Sequence, residues 1–256
     1  MRNAVRSSLK ALGLGITRYE TLRALKAKEQ SFDDIALLRT FPAHYTAPLV
    51  HILYKSKAQL RQDLFVLAQT DFKRNGYFVE FGATNGETLS NTHLLEKEFD
   101  WTGILAEPAQ QWREALKRNR KAALEFDCVW KETGSKLTFN EVAEGEFSTI
   151  DSFSAGDRHR KIRRRGTTYQ VNTISLNDLL EKHGAPALVD YLSIDTEGSE
   201  FEILSAFDFN RRKFRVITCE HNYTPMREEL FQLLSRHGYY RVFPELSRFD
   251  DWYVLK

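Results

Sequence analysis

Residues 188–204 constrain the fold of this chain more than any other stretch. Val189-Asp190-Tyr191-Leu192-Ser193-Ile194 is a β-prone, largely apolar run, and Phe201 and Leu204 follow at helical spacing. Between them lies an acidic turn, Asp195-Thr196-Glu197-Gly198-Ser199-Glu200, with Gly198 at the bend. A strand passing through a short turn into a helix is the repeating unit of an open α/β sheet, and such sheets bind ligands at the carboxyl ends of their strands. Asp195, Glu197, Glu200 and Glu202 fall within eight residues. Carboxylates at that density are costly to bury unpaired. Either they complement the dipole of the following helix or they face a ligand.

The rest of the chain supplies the repeats such a sheet needs. Strands are expected at residues 77–81, 103–106, 124–130, 188–194 and 214–219, with helices at 88–99, 109–119, 175–183, 199–207 and 225–237 between or after them. A closing strand pair is expected at residues 239–243 and 252–255, and two further strands at 136–139 and 169–171 in a less regular stretch. Leu60, Leu64, Leu67 and Ala68 recur at helical spacing over residues 57–73, and Asn75-Gly76 ends that helix. Alternating β and α units with a terminal strand pair make a doubly wound, mostly parallel α/β sheet.

At 256 residues and 42% hydrophobic content the chain suits one such domain, residues 57–256, with an N-terminal helical accessory segment over residues 1–56. That segment is broken at Gly13, Gly15, Pro42 and Pro48 and is expected to pack on the main domain or on a second copy in a homo-oligomer. Its start carries Arg2, Arg6 and Lys10, and its apolar part is too short for a secretion signal. It reads as a surface helix, with peripheral membrane contact as the alternative. No apolar run is long enough to span a membrane. Cys128 and Cys219 both sit in apolar runs, which points to a reducing, cytoplasmic setting and not to a disulfide framework or a zinc site. The net charge of +2 gives no nucleic-acid signature.

Glu80-Phe81-Gly82-Ala83-Thr84-Asn85-Gly86 closes the first strand. Gly82 permits a tight turn and close backbone approach, and Gly86 keeps the chain clear of a Cβ. The turn lacks the third glycine of a dinucleotide fingerprint and the Gly-Lys-Ser/Thr of a phosphate loop. Glu80 would repel a pyrophosphate, which disfavours a nicotinamide dehydrogenase. An acid there suits a cationic cofactor, and S-adenosylmethionine carries a sulfonium and an ammonium with no phosphate. Glu107, twenty-one positions beyond Gly86 and followed by Pro108, stands where a ribose-binding acid is expected. Asp127 lies either near the adenine amino group or on a solvent-facing strand.

These pieces resemble the FkbM family of S-adenosylmethionine-dependent methyltransferases. The resemblance rests on Gln62-Asp63-Leu64-Phe65-Val66, on residues 77–86, on Leu89-Ser90-Asn91-Thr92, on residues 101–108, and above all on residues 190–200, and it spans residues 60–256 in order. Glu80 and Phe81 stand where relatives often carry Asp and Ile or Val. The resemblance implies a Rossmann-like, seven-stranded methyltransferase sheet, with Glu80, Gly82, Ala83, Asn85, Gly86, Asn91, Glu107, Pro108, Asp127 and Asp195 around the cofactor. It further implies O-methylation of a carbohydrate or glycan-related hydroxyl. Two rivals stand beside that reading: a methyltransferase of another small metabolite, and a non-catalytic subunit of glycan assembly.

An alcohol is a weak nucleophile that benefits from deprotonation or polarisation. Asp195 and Glu220-His221-Asn222 follow adjacent strands and supply two ways to do this. His221 is one candidate base, since its ordinary pKa suits neutral pH. Alternatively, Asp195 and Glu220, with His221, hold Mg²⁺ or another divalent cation that lowers the hydroxyl pKa. Related sugar methyltransferases with acids at these two strand ends use such a metal. Arg158-His159-Arg160-Lys161-Ile162-Arg163-Arg164-Arg165 is the strongest local charge cluster. It reads as a solvated segment or as a lid that attracts an anionic acceptor.

Overall fold

The computed structural model describes residues 17, 19–143, 145, 148–154 and 160–256. The described residues fall into two compact units, divided between Thr46 and Ala47. Within the first, helix α1 (Tyr19–Thr40) exposes Tyr19, Leu22, Leu25, Phe32 and Ile35 and buries Leu37. Helix α2 spans Ala43–Ile52 and buries Leu49.

The second unit is built on a sheet of seven strands. In chain order these are β1 (Tyr77–Phe81), β2 (Thr102–Ala106), β3 (Ala123–Glu125), β8 (Leu188–Ile194), β9 (Lys213–Glu220), β10 (Tyr239–Val242) and β11 (Asp250–Leu255), with β4 to β7 reserved for a second sheet. Their spatial order is β10-β11-β9-β8-β1-β2-β3, and only β11 runs against its neighbours. Winding outward in both directions from β1 and β8 puts the reversal of strand order between these two strands, the position where open α/β sheets bind ligands. β1 and β8 are apolar and buried almost throughout because helices cover both faces. The core joins Val79, Ile104, Leu192 and Ile217 of the strands to Leu179, Leu204 and Leu234 of the helices.

The strand expected at residues 124–130 is two strands in different sheets. Glu125 explains the break: its carboxylate accepts the Phe126 and Asp127 N–H groups at 3.0 and 3.1 Å, which satisfies them locally and turns the chain. Beyond the turn, β4 (Cys128–Trp130) joins β5 (Lys136–Glu141), β6 (Thr149–Ile150) and β7 (Thr167–Ser175) in a four-stranded sheet ordered β4-β7-β5-β6. Cys128, Trp130, Phe139, Ile150 and Val171 form its own small core.

Two expected helices are shorter than the periodicity suggests. The first, α3 (Gln62–Gln69), starts only after Arg61, which adopts a left-handed φ of 63° that no helix continues through. Gln62 to Ala68 of this helix are buried on every side, and Phe65 stacks on Trp252 of β11 at 4.6 Å. The second, α4 (His93–Phe99), replaces the helix expected from residue 88. Residues 84–92 form a loop because their polar groups are taken by side chains from elsewhere in the fold. The remaining helices are α5 (Arg113–Asn119), α6 (Arg160–Arg163), α7 (Leu176–Lys182), α8 (Glu200–Ser205), α9 (Met226–Arg236) and α10 (Pro244–Ser247).

Candidate active site

The carboxyl ends of β1, β2, β8 and β9 frame a cleft of about 1110 Å³ including its open mouth. Gly82 (φ 71°) brings the turn after β1 against the end of β8: a Cβ on Gly82 would lie 2.0 Å from the Asp195 carbonyl oxygen. No side chain fits there. A Cβ on Gly86 would meet Arg120 Cγ at 2.6 Å, so this second glycine makes room for an arginine and not for a ligand.

Arg120, which sits just before β3, is the hidden support of the turn. Its buried guanidinium donates to the Gly86 carbonyl at 3.0 Å, Ser90 Oγ at 3.1 Å, Thr92 Oγ1 at 2.8 Å and Glu96 at 3.1 Å. Glu80 completes the same network. Its carboxylate accepts from Ser90 Oγ at 3.0 Å, from the Asn91 N–H at 2.8 Å and from Thr92 Oγ1, and lies 3.7 Å from Arg120. Glu80 therefore lines the cleft while its oxygens hold residues 90–92 in place. Asn91 reaches across to donate to Ser193 Oγ at 2.9 Å, and its own Oδ1 is buried with no partner. Asn85 folds back on the Glu87 and Thr88 N–H groups, and neither it nor Gly86 lines the cleft.

Glu107 caps β2. Its two oxygens accept the Thr84 and Ala109 N–H groups, each at 2.8 Å. Burial nevertheless pushes its pKa up to about 7, with smaller upward contributions from Glu141 and Asp195. Ala83 and Pro108 line the cleft beside it, together with Cys128 and Val129 of β4. Asp127 does not.

The other half of the cleft is a convergence of acids. Parallel pairing sets Ile194 beside Cys219, so Asp195 and Glu220 come together at adjacent strand ends. Asp195, Glu197 and Glu220 each offer an oxygen within 4.8 Å of the others. Glu220 is pushed well above the usual carboxylate range, first by burial and then by the charges of Asp195, Glu197 and Glu200. Glu200 is also raised by burial, although it accepts from the Thr196 N–H and Oγ1 at 2.9 Å and the Gly198 N–H at 3.1 Å.

Arg163 offsets part of this charge. The basic run in which it lies reads from sequence as a solvated segment or a lid, yet this guanidinium is fully buried and donates to Glu197 at 2.8 Å. Arg164 and Arg165 are exposed, as the sequence suggests, and Arg158 and His159 lie outside the described residues. The second sheet brings Arg163 here: Asn140 of β5 donates to the Arg163 carbonyl at 3.1 Å, and Thr149 of β6 donates to the Glu197 carbonyl at 3.1 Å.

His221 follows Glu220 but leaves the cleft. Its Nδ1 accepts the Tyr223 N–H at 3.0 Å, and its Nε2 lies 3.8 Å from Asp251 without a well-formed hydrogen bond. Burial lowers its pKa. The three-acid group thus comprises Asp195, Glu197 and Glu220, with His221 outside it among the described residues. Sequence reasoning had marked Glu197 only as one acid of a turn, and it missed Arg120 altogether. No local signal distinguishes Arg120 or Arg163 from a surface arginine.

A family model described as "Methyltransferase FkbM domain" matches residues 80–240. No curated protein matches the chain in sequence. Among solved structures, a precorrin-6y C5,15-methyltransferase from Geobacter metallireducens GS-15 is similar at 13% identity and a TM-score of 0.37, covering 70% of this chain and 71% of its own. A human methyltransferase 10 domain containing protein is similar at 12% identity and a TM-score of 0.37, covering 76% and 81%. Likeness at this level adds nothing to the topology described above.

Proposed function

Because the chain belongs to the FkbM methyltransferase family, and so uses S-adenosylmethionine as methyl donor, we propose that it methylates a hydroxyl of a carbohydrate or glycan-related compound. One observation carries the reading. Among the described residues the cleft is lined by Glu80, Glu107, Asp195, Glu197, Glu220 and Asp250, and by no Lys or Arg. That lining suits a donor with two positive centres and no phosphate, and it disfavours a dinucleotide. Glu107 is positioned to accept the ribose hydroxyls, and Asn91 Oδ1 is a buried acceptor in want of a donor such as the ammonium.

The donor supplies an electrophilic methyl group; the chain supplies alignment, exclusion of water and a place for the acceptor's proton. Glu220 is the residue we assign to that last task. Surrounded by acids, it gives up its proton only when positive charge enters the cleft, and it then stands as a base at the end of β9. His221 has less to support it as the base, since its Nδ1 is occupied by a backbone N–H and its ring is outside the cleft.

A second reading rests on the spacing of Asp195, Glu197 and Glu220, whose hard oxygen donors suit Mg²⁺ or Ca²⁺. Asp195, Glu197 and Glu220 would hold such an ion, which would offset their mutual repulsion and polarise an acceptor hydroxyl. The deciding experiment is methyl transfer from labelled S-adenosylmethionine to a panel of sugars, nucleotide sugars and glycolipids, with and without exhaustive chelation. Turnover that survives chelation supports the base; turnover lost while donor binding persists supports the metal. Binding of a nicotinamide cofactor in place of S-adenosylmethionine would overturn both.

A further inference from the structure

Glu107 and Asp250 both line the cleft, and the strand order β2-β1-β8-β9-β11 sets three strands between the two that carry them. The reading above places the donor between Glu107 and Asn91, and Asn91 is bonded to Ser193 of β8. The ends of β9 and β11 are left to the acceptor. Because β11 runs against β9, its first residue, Asp250, lies at the edge where β9 ends and pairs directly with Glu220. Directly paired residues share a face of the sheet, with Cβ atoms roughly 5 Å apart. Trp252 pairs with Thr218 two residues further in, on that same face. Helix α3 covers it: Phe65 stacks on Trp252 at 4.6 Å, and Gln62 Nε2 donates to Asp250 Oδ2 at 3.1 Å. The Gln62 amide is fixed in this orientation, because its Oε1 accepts the Leu60 N–H at 2.9 Å. Trp252 Nε1 donates to the same Asp250 oxygen, Oδ2, at 3.2 Å. A buried carboxyl that lines the cleft is thus held through one oxygen, and among the described residues Oδ1 is the oxygen left to serve a ligand.

We infer that Asp250 binds a hydroxyl of the acceptor other than the one methylated, so that the acceptor carries at least two hydroxyls, one held at Asp250 and the other turned to Glu220. The inference rests on the methyl-transfer reading above and narrows it to polyhydroxylated compounds. Two hydroxyls of one sugar ring suit two carboxyls set side by side on one sheet face, since each carboxyl takes one of them. The hydroxyl at Glu220 exchanges its O–H bond for an O–CH₃ bond as the donor's S–CH₃ bond breaks, and its proton passes to Glu220. The hydroxyl at Asp250 is unchanged and serves to aim the first. Gln62 is a positioning residue that acts through Asp250, and it gives the Gln62-Asp63 pair of the sequence a place in the site.

The test uses methyl glycosides and their monodeoxy analogues with the full chain, alongside calorimetry of S-adenosylmethionine binding and urea melting. In wild type, loss of one hydroxyl other than the methylated one should lower kcat/KM by at least about tenfold, as when a site built to bind a hydroxyl no longer meets it. Asp250→Ala should raise the KM of the parent glycoside by at least about tenfold with donor affinity within about twofold, and should use parent and deoxy analogue alike. Gln62→Leu should raise the same KM, and the double variant should be no worse than Asp250→Ala, because both act at one contact. Phe65→Leu loosens α3 on Trp252 without lining the cleft, so it should lower urea stability and leave the glycoside KM within about twofold. Indifference of wild type to every such deoxygenation would overturn the inference without any variant having to fold. An unchanged KM in Asp250→Ala, or an equal rise in Phe65→Leu, would overturn it too, and in all three cases methyl transfer to a glycoside would stand. Failure to bind S-adenosylmethionine, or transfer to none of the glycosides, would instead remove the reading beneath it, and the inference with it.

Discussion

Glu80 at the end of β1 and Glu220 at the end of β9 are both buried carboxyls on one sheet edge, and their surroundings differ in kind. Glu80 is met by donors: Ser90, the Asn91 N–H and Thr92, with Arg120 behind them. Glu220 is met by acceptors: Asp195, Glu197 and Glu200, with the Arg163 guanidinium compensating Glu197. A carboxylate ringed by donors is an anchor, since its hydrogen bonds are made and its position is fixed. A carboxyl ringed by carboxyls holds a proton that incoming positive charge can displace, and that is the condition for chemistry. Glu80 is thus held by donors, whereas the acids at the ends of β8 and β9 crowd one another.

The sharpest way to break this contrast is to neutralise one acid from each half. Glu220→Gln should lower the single-turnover rate by roughly 10²–10⁴-fold, the usual worth of a positioned base, with donor affinity nearly kept. A rate within threefold of wild type would return Glu220 to a purely structural role. Glu80→Gln should instead show its effect in urea melting and donor affinity, with chemistry following only as far as the donor site is lost.

Next in size are the two buried arginines. Arg120→Met and Arg163→Met each strand buried carboxylates and should cost about 3–5 kcal/mol in urea unfolding. They differ in rescue. Glu197→Gln should recover much of the loss in Arg163→Met, because it removes the buried charge that the guanidinium pairs with. Glu80→Gln should recover little of the loss in Arg120→Met, because Arg120 also holds Gly86, Ser90, Thr92 and Glu96. Equal rescue in the two pairs would erase the distinction between anchor and compensator.

Glu107 gives a smaller effect with a pH signature. Glu107→Ala should weaken S-adenosylmethionine binding by about 1.5–3 kcal/mol, as for lost hydrogen bonds to a charged acceptor. Its folded pKa of about 7 lies above the ordinary value of 4.5, so the folded state binds its proton more tightly. The stability it contributes is therefore present at low pH and is lost as pH rises from the ordinary value through about 7. Donor binding, which uses the ionised form, should tighten across the same window. Calorimetry of wild type and Glu107→Ala at several pH values checks both slopes, and identical pH profiles would remove Glu107 from the donor site. Smallest of all is the exposed part of the basic run: Arg164→Ala with Arg165→Ala should change melting and acceptor kinetics by less than about 0.5 kcal/mol. A large, salt-dependent rise in acceptor KM would restore the lid.

Much of this architecture is legible in the order of residues. Strands β1, β2, β8 and β9 are short runs buried on both faces, and such runs announce themselves by apolar content and the turns that follow them. Parallel pairing then puts Asp195 beside Glu220 with little freedom left. The same reasoning failed over residues 88–92 and 124–130. Side chains satisfy the backbone locally at Glu125 and from a distance at Glu80 and Arg120, and helical or strand-like spacing carries no trace of it.

Sequence alone therefore determined the sheet, its ligand-binding edge and the acids along that edge, because each depends on neighbours within one strand and its turn. Tertiary structure alone decided what those acids face. Arg120 lies forty positions from Glu80 and Arg163 thirty-four from Glu197, and His221 turns from the cleft because a backbone N–H two residues on claims its Nδ1. Whether a carboxyl becomes an anchor or a proton store is set by charges within a few ångströms of it, and those distances exist only once the chain has folded.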